Sequence, residues 1–251
     1  MTTILKTIGK VMTVGMVVLA FISCEKEEVK DTLVASNLET SEDAFDYDQF
    51  GRAHNDYLMY VHATGEQDPK LRFEYGKSYV DPVLGSFDVG IDYDALVAGM
   101  PAHLRKMDQI IDGTYQASQE TVNPEMKRFL DELATLTYNS LQEGISMEAF
   151  IVRLEDLEER IAQTQDLQIN LDANYANDGA SMMAVTSILK YSVQYWDFVD
   201  GETRRGLWTK IKRALADAWG YVSAWTDNGD GSYSWDPQSA TSNAACHSDQ
   251  V

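Results

Sequence analysis

A mainly α-helical bundle of about five to six helices is the fold class that residues 49–225 predict. Three observations carry it. Apolar residues recur at helical spacing in segment after segment. Cap-forming residues stand where several of those runs begin. No run shows the strict apolar–polar alternation of a half-buried strand.

The elements follow in chain order. Phe50, Ala53, Tyr57, Leu58 and Val61 fall on one helical face, and Gly65 closes that helix. Residues 66–91 carry Pro69, Gly76, Pro82, Gly85 and Gly90, which predict a loop with room for a short strand at Arg72–Tyr75. A second helix is expected over Tyr93–Ile111, with Pro101 kinking or splitting it because proline lacks the amide donor. Asn123 as cap, Pro124 in the first turn and Glu125 at the positive helix end predict the third start. Its stripe is Met126, Phe129, Leu130, Leu133, Leu136 and Leu141, and Gly144 ends it. Ser146 then caps a helix carrying Phe150, Ile151, Leu154, Leu157 and Ile161, and the short link predicts an antiparallel pair. Its acids Glu155, Asp156, Glu158 and Glu159 fit a solvated face better than paired-carboxylate chemistry. After a polar connection at 166–178, two further helices are expected, Ala180–Val199 and Glu202–Trp225. Residues 226–251 predict a polar, irregular tail.

The N-terminus predicts a different role. Lys6 and Lys10 precede an apolar run, Val11–Ile22, and no acid occurs before Glu25. About 20 apolar residues are needed to cross a bilayer, so this run is too short to span one. A basic start, a short apolar middle and small Ser23 before a cut describe a signal peptide over residues 1–23. Phe21-Ile22-Ser23-Cys24 resembles a bacterial lipobox, with Phe21 in place of the usual leucine. That resemblance implies that Cys24 becomes the first mature residue and carries acyl chains, palmitate among them. Each buried methylene contributes about 0.8 kcal/mol, and more than one chain gives a stable anchor. Residues 24–48 then form an acidic flexible tether with nine acids and two lysines. Its first cluster, Glu25-Lys26-Glu27-Glu28, fits a hydrated spacer and equally resembles the export tags of bacteroidete-type surface lipoproteins.

Two further stretches bear on family. Gly51-Arg52-Ala53-His54-Asn55-Asp56-Tyr57-Leu58-Met59-Tyr60 resembles the entry helix of uncharacterised bacteroidete-type lipoproteins. Ser187-Ile188-Leu189-Lys190-Tyr191 through Tyr195-Trp196 is similar to a later helix in the same proteins. The resemblance implies a secreted helical lipoprotein on the cell outer membrane, at its inner or outer face. It carries over no functional residue.

Composition narrows the partners. Loss of residues 1–23 takes the formal net charge from −20 to −22. So acidic a chain repels phosphate and is not expected to bind nucleic acid. With Cys24 acylated, Cys246 has no intrachain partner, and it lies in the polar stretch TSNAACHSDQV, where exposure is expected.

No catalytic constellation stands out. His54, His62, His103 and His247 lack metal-site spacing, and each reads as a surface or half-buried side chain; no cofactor or metal is expected. Asp227-Asn228-Gly229-Asp230-Gly231 reads as a turn, since a calcium loop aligned on it has Thr226 first and Pro237 twelfth. All five tryptophans, Trp196, Trp208, Trp219, Trp225 and Trp235, crowd into the last quarter. They describe either a hairpin packed through large rings or an exposed ligand platform. The basic cluster Arg204, Arg205, Lys210, Lys212 and Arg213 shares the last helix with Leu207, Trp208, Ile211, Leu215 and Trp219. Such a helix suits an anionic membrane or the protein's own acidic faces. The favoured expectation is a membrane-anchored module binding an extracellular ligand or protein. Trp208, Trp219, Trp225, Arg204, Arg205 and Lys212 are its candidate contacts. The alternatives are an extracellular hydrolase of sugars or peptides and a membrane-active protein using residues 202–225.

Overall fold

The computed structural model describes residues 45–68, 70–72, 74, 75, 78, 93–170, 175–200, 206–235, 240, 243, 244 and 247. Residues 45–251 form one compact unit. Its described part is mainly α: six helices, one 3₁₀ turn and two short hairpins. The helices are α1 (Asp48–Thr64), α2 (Tyr93–Asp112), α3 (Pro124–Glu143), α4 (Met147–Thr164), α5 (Asp178–Asp200) and α6 (Gly206–Val222). The 3₁₀ turn is Ala117–Gln119; β1 (Ile169–Asn170) pairs antiparallel with β2 (Tyr175–Ala176), and β3 (Trp225–Asp227) with β4 (Tyr233–Trp235). No described helix is long and apolar enough to cross a membrane.

Helix α5 is the hub. It packs on α1, α3, α4 and α6, and its stretch from Ala180 to Val193 is buried almost all round. A helix apolar on every side belongs inside a core, and α5 has that character. Its buried hydroxyls find partners: Thr186 donates to the Met182 carbonyl one turn back at 2.8 Å, and Ser187 accepts the amide of Gly51, on α1, at 3.1 Å. Helix α1 runs parallel to α5, with Asn55 Nδ2 donating to the Tyr191 carbonyl (2.8 Å) and the Tyr195 hydroxyl on His62 Nδ1 (2.6 Å). The seam closes at Gly51, where a Cβ would lie 2.4 Å from the Tyr191 ring and 2.6 Å from the Ser187 carbonyl oxygen. Only glycine fits there.

Capping fixes the α3–α4 hairpin as the sequence predicts. Asn123 accepts the Met126 amide at 2.8 Å and Ser146 accepts Ala149 at 3.3 Å. Gly144, at φ 63°, closes α3 in the left-handed region that favours glycine. Arg153–Glu143 and Arg160–Glu132 pairs then hold α3 antiparallel to α4.

Several boundaries differ from expectation. The fold already begins at Phe45, since Tyr47 is buried and its hydroxyl bonds the Leu167 carbonyl. Residues 70–72, 74 and 75 are helical, not a strand. Asp68 caps that turn by accepting the amides of Lys70 (2.9 Å) and Leu71 (3.2 Å). Helix α2 runs unbroken through Pro101, which sits on its exposed side, where water reaches the backbone that proline leaves unpaired. Helix α6 stops at Val222, and Trp225 belongs to a strand, because Gly229 (φ 78°) and Gly231 (φ 86°) turn the chain back as a hairpin. Trp235 of β4 is buried, and beyond the hairpin the short C-terminal region still contributes to the core: Ala240, Asn243, Ala244 and His247 are buried. Ala240, Asn243, Ala244 and His247 recur at i, i+3, i+4 and i+7, a pattern hidden among Ser, Thr and Asn.

Candidate functional site

Two polar clusters lie inside the bundle. Lys190, on the hub helix, reaches Asp48 of α1 at 2.8 Å and Glu158 of α4 at 2.7 Å. Glu158 is therefore not part of a solvated face, as its neighbours Glu155, Asp156 and Glu159 suggested; those three are exposed. Burial raises the Glu158 carboxyl above the usual range, and the bond from Lys190 only partly opposes it. For Lys190 burial pulls the other way, and Asp48 and Glu158 outweigh it, so the ammonium is held charged.

The second cluster surrounds Asp217 of α6, which is fully buried. Ser192 Oγ and Trp196 Nε1 (3.1 Å) both donate to its Oδ2, and His54 Nε2 lies 3.8 Å away. Serine, histidine and aspartate meet here, yet not as a catalytic triad. The serine proton goes to the carboxylate rather than to imidazole, and Ser192, Asp217 and His54 are all buried. The cluster joins α1, α5 and α6 within the core.

An accessible cavity of about 450 Å³ opens at one end of α6. Helix α2 supplies His103 and Lys106, one turn apart, and the turn after the 3₁₀ segment supplies Glu120 and Thr121. The end of α6 supplies Trp219, Val222 and Ser223, and β3 supplies Trp225, Thr226 and Asp227. Asp131 of α3 secures the 3₁₀ turn by accepting the Ala117 amide at 2.9 Å. Glu120 is clamped by Lys106 Nζ (2.6 Å) and the Tyr115 hydroxyl (3.1 Å), while the Tyr115 ring meets Trp219 edge-on at 5.6 Å. Burial, with Glu120 beside it, pushes the Tyr115 hydroxyl well up, so it stays a donor. Trp225 Nε1 is buried without a hydrogen-bond partner, a donor whose neglect costs about 1–3 kcal/mol. With Glu120 spent on Lys106, Asp227 leaves the wall with an acidic bias. This lining suits a small polar ligand that is neutral or cationic.

His103 is buried and its Nε2 lies 3.1 Å from the Ala216 carbonyl. Behind it the His247 ring stacks at 3.7 Å between centroids. Burial pulls His103 down to about 4, with Lys106 assisting, and pulls His247 well below the usual histidine value. His54, His103 and His247 are thus core groups rather than surface or half-buried ones. No group of three His, Cys, Asp or Glu side chains among the described residues is placed to hold a metal. The Asp227–Gly231 stretch is a hairpin turn: Asp227 accepts the Gly229 amide and Asp230 accepts that of Ser232, each at 2.8 Å.

The expected contacts fare unequally. Cys24, Arg204, Arg205 and Cys246, with the signal peptide and most of the tether, lie outside the described residues. Trp219 and Trp225 line the cavity but are only 1% and 7% exposed, so neither is an open platform. Trp208 is 42% exposed and is not among the cavity's walls. Lys212 pairs with Asp108, Lys210 with Asp197 (2.8 Å), and Arg213 covers the Trp196 ring at 4.7 Å. The apolar stripe of α6, Ile211, Leu215 and Trp219, is spent on the core. A membrane has no access to that face. Sequence reasoning missed His103, Lys106 and Glu120, whose only signal is their meeting in space. No protein family, curated protein or solved structure matches this chain.

Proposed function

We propose that this chain is a lipid-anchored helical binding module of the bacterial outer membrane, with its ligand in the Trp219–Trp225 cavity. The observation that carries the binding role is that cavity's wall, which combines two indoles, a clamped Lys106–Glu120 pair, three hydroxyl side chains and Asp227. The anchoring role rests on Lys6, Lys10, the apolar run to Ile22 and the Ser23-Cys24 step into charge. A ligand binding only the folded state at a hundred times its Kd stabilises it by about 2.7 kcal/mol, which a thermal shift reads directly. Screened against monosaccharides and small amines, the chain from residue 24 should gain Tm with one of these classes. Thr226→Trp, at the cavity's mouth, should abolish the gain. Equal shifts in both proteins, or none in either, refute the site. For the anchor, Cys24→Ala should end palmitate incorporation and release the protein from envelopes; retention on envelopes refutes it.

A second reading has one observation in its favour. Phe198 is 84% exposed, and with Val199 and Trp208 it sits within a turn or so of the α5–α6 link. Such an end contact with lipid replaces the lengthwise contact of residues 202–225, whose apolar face is occupied. An extracellular hydrolase has less support, since both Glu120 oxygens are engaged and Ser223 Oγ donates to the Gly220 carbonyl at 2.7 Å.

A further inference from the structure

Two walls of the cavity are held from behind by one C-terminal segment. Asn243 Nδ2 donates to Ser223 Oγ at 2.9 Å, and His247 stacks on His103; both Ser223 and His103 face the cavity. The backbone of the same segment lies flush on α6, where a Cβ on Gly220 would stand 2.4 Å from Ala244 Cα. That close approach places the His247 ring over His103 and aims both imidazoles at one acceptor, the Ala216 carbonyl. Nδ1 of His247 is buried with no hydrogen-bond partner. Such a pair tolerates two neutral rings and not two charged ones. The ionisable neighbours settle the sign. Lys106 of α2 acts on both rings and disfavours their protonation, while Glu120, one of the two carboxylates lining the cavity, is already bound to Lys106. Asp227 of β3 is the other lining carboxylate, and Asp217, next to Ala216, is committed to Ser192 and Trp196.

We propose that the segment bearing Asn243, Ala244 and His247 is a proton-released strut: docked, it holds the cavity's His103 and Ser223 walls in place; acidification undocks it and dismantles the site. This regulation rests on the cavity being the binding site, but the strut's release is measurable without any ligand. Undocking returns both imidazoles to water, where each takes up a proton below about pH 6.5. Two protons gained on release multiply the undocked-to-docked ratio by up to a hundredfold per pH unit well below pH 6.5, or about two-thousandfold between pH 6.5 and 4.5. The expected transition is therefore steep, and it is local.

The test uses the chain from residue 24 with Cys24→Ser, which leaves Cys246 as the one thiol, carrying a fluorophore. Its anisotropy should fall between pH 6.5 and 4.5 while helical circular dichroism stays constant. The double variant His103→Phe/His247→Phe keeps two stacked rings that cannot charge, and its anisotropy should stay flat. Asn243→Ala removes a docking bond and no titrating group, so the midpoint should move to higher pH with the steepness kept. Constant anisotropy down to pH 4.5, a fall that tracks the loss of helix, or an unshifted midpoint in Asn243→Ala overturns the proposal. Should the strut release as expected while no probe ever binds the cavity, the failure lies with the binding role alone.

Discussion

Replacing Lys190 by methionine removes the one charge shared by α1, α4 and α5 and strands Glu158 beside an apolar chain. Lys190 and Glu158 side chains are 8% and 12% exposed, so little water replaces the lost ammonium. Breaking a buried pair from one side costs about 3–5 kcal/mol. Asp48, 37% exposed, can turn to solvent, which argues for the lower end, about 3 kcal/mol. At a urea slope of about 2–3 kcal/mol per molar, the midpoint should drop by about 1–1.5 M at pH 7. The pH dependence supplies the sharper check. Burial already raises the Glu158 carboxyl in the native protein, and loss of Lys190 raises it further. A carboxyl raised on folding contributes stability that is present below its unfolded value and lost as pH climbs through the folded one. The variant's deficit should therefore be largest at pH 7 and shrink toward pH 4.5. Adding Glu158→Gln should recover most of it at pH 7. Urea unfolding at both pH values decides. A deficit under 1 kcal/mol, or one that is the same at pH 7 and 4.5, refutes the assignment of Lys190 as a buried three-helix tie.

Gly51→Ala drives a methyl group into Tyr191 and the Ser187 carbonyl, and overpacking of this kind costs about 1–3 kcal/mol, visible as a lowered Tm. Asn123→Ala loses the α3 cap and the 2.7 Å bond to Asp178 at the start of α5, so it should cost about 1–2 kcal/mol in urea unfolding. Trp208 is the exposed member of the five tryptophans, so Trp208→Phe should remove most of the acrylamide-quenchable emission and leave the blue-shifted remainder.

How far the sequence discloses this molecule depends on whether a signal is local. The α3 and α4 starts are legible because Asn123-Pro124 and Ser146 cap within three residues. The same signal stands at Asp68-Pro69, but Gly76, Pro82, Gly85 and Gly90 after it argue locally for a loop. Pro101 shows the reverse: a local breaker is overridden where its side of the helix is wet. Lys190 and Asp217 look like surface residues in a string of letters, since their partners lie on other helices: Lys190's on α1 and α4, Asp217's on α1 and α5. Trp219 and Trp225 were legible as important and not as cavity walls. The cavity needs α2, the 3₁₀ turn, α6 and β3 to converge, and no spacing along the chain encodes that convergence.

The parallel seating of α1 on α5 has a kinetic consequence. The Gly51–Ser187 bond spans 136 residues, so α1 cannot seat Phe50, Tyr57, Leu58 and Val61 against α5 until most of the chain exists. At about 5–20 residues per second, synthesis alone imposes a wait of roughly seven to twenty-seven seconds. A chain wired this way stays open while it is being made. For that interval those four apolar side chains stay open to solvent and to any holding chaperone.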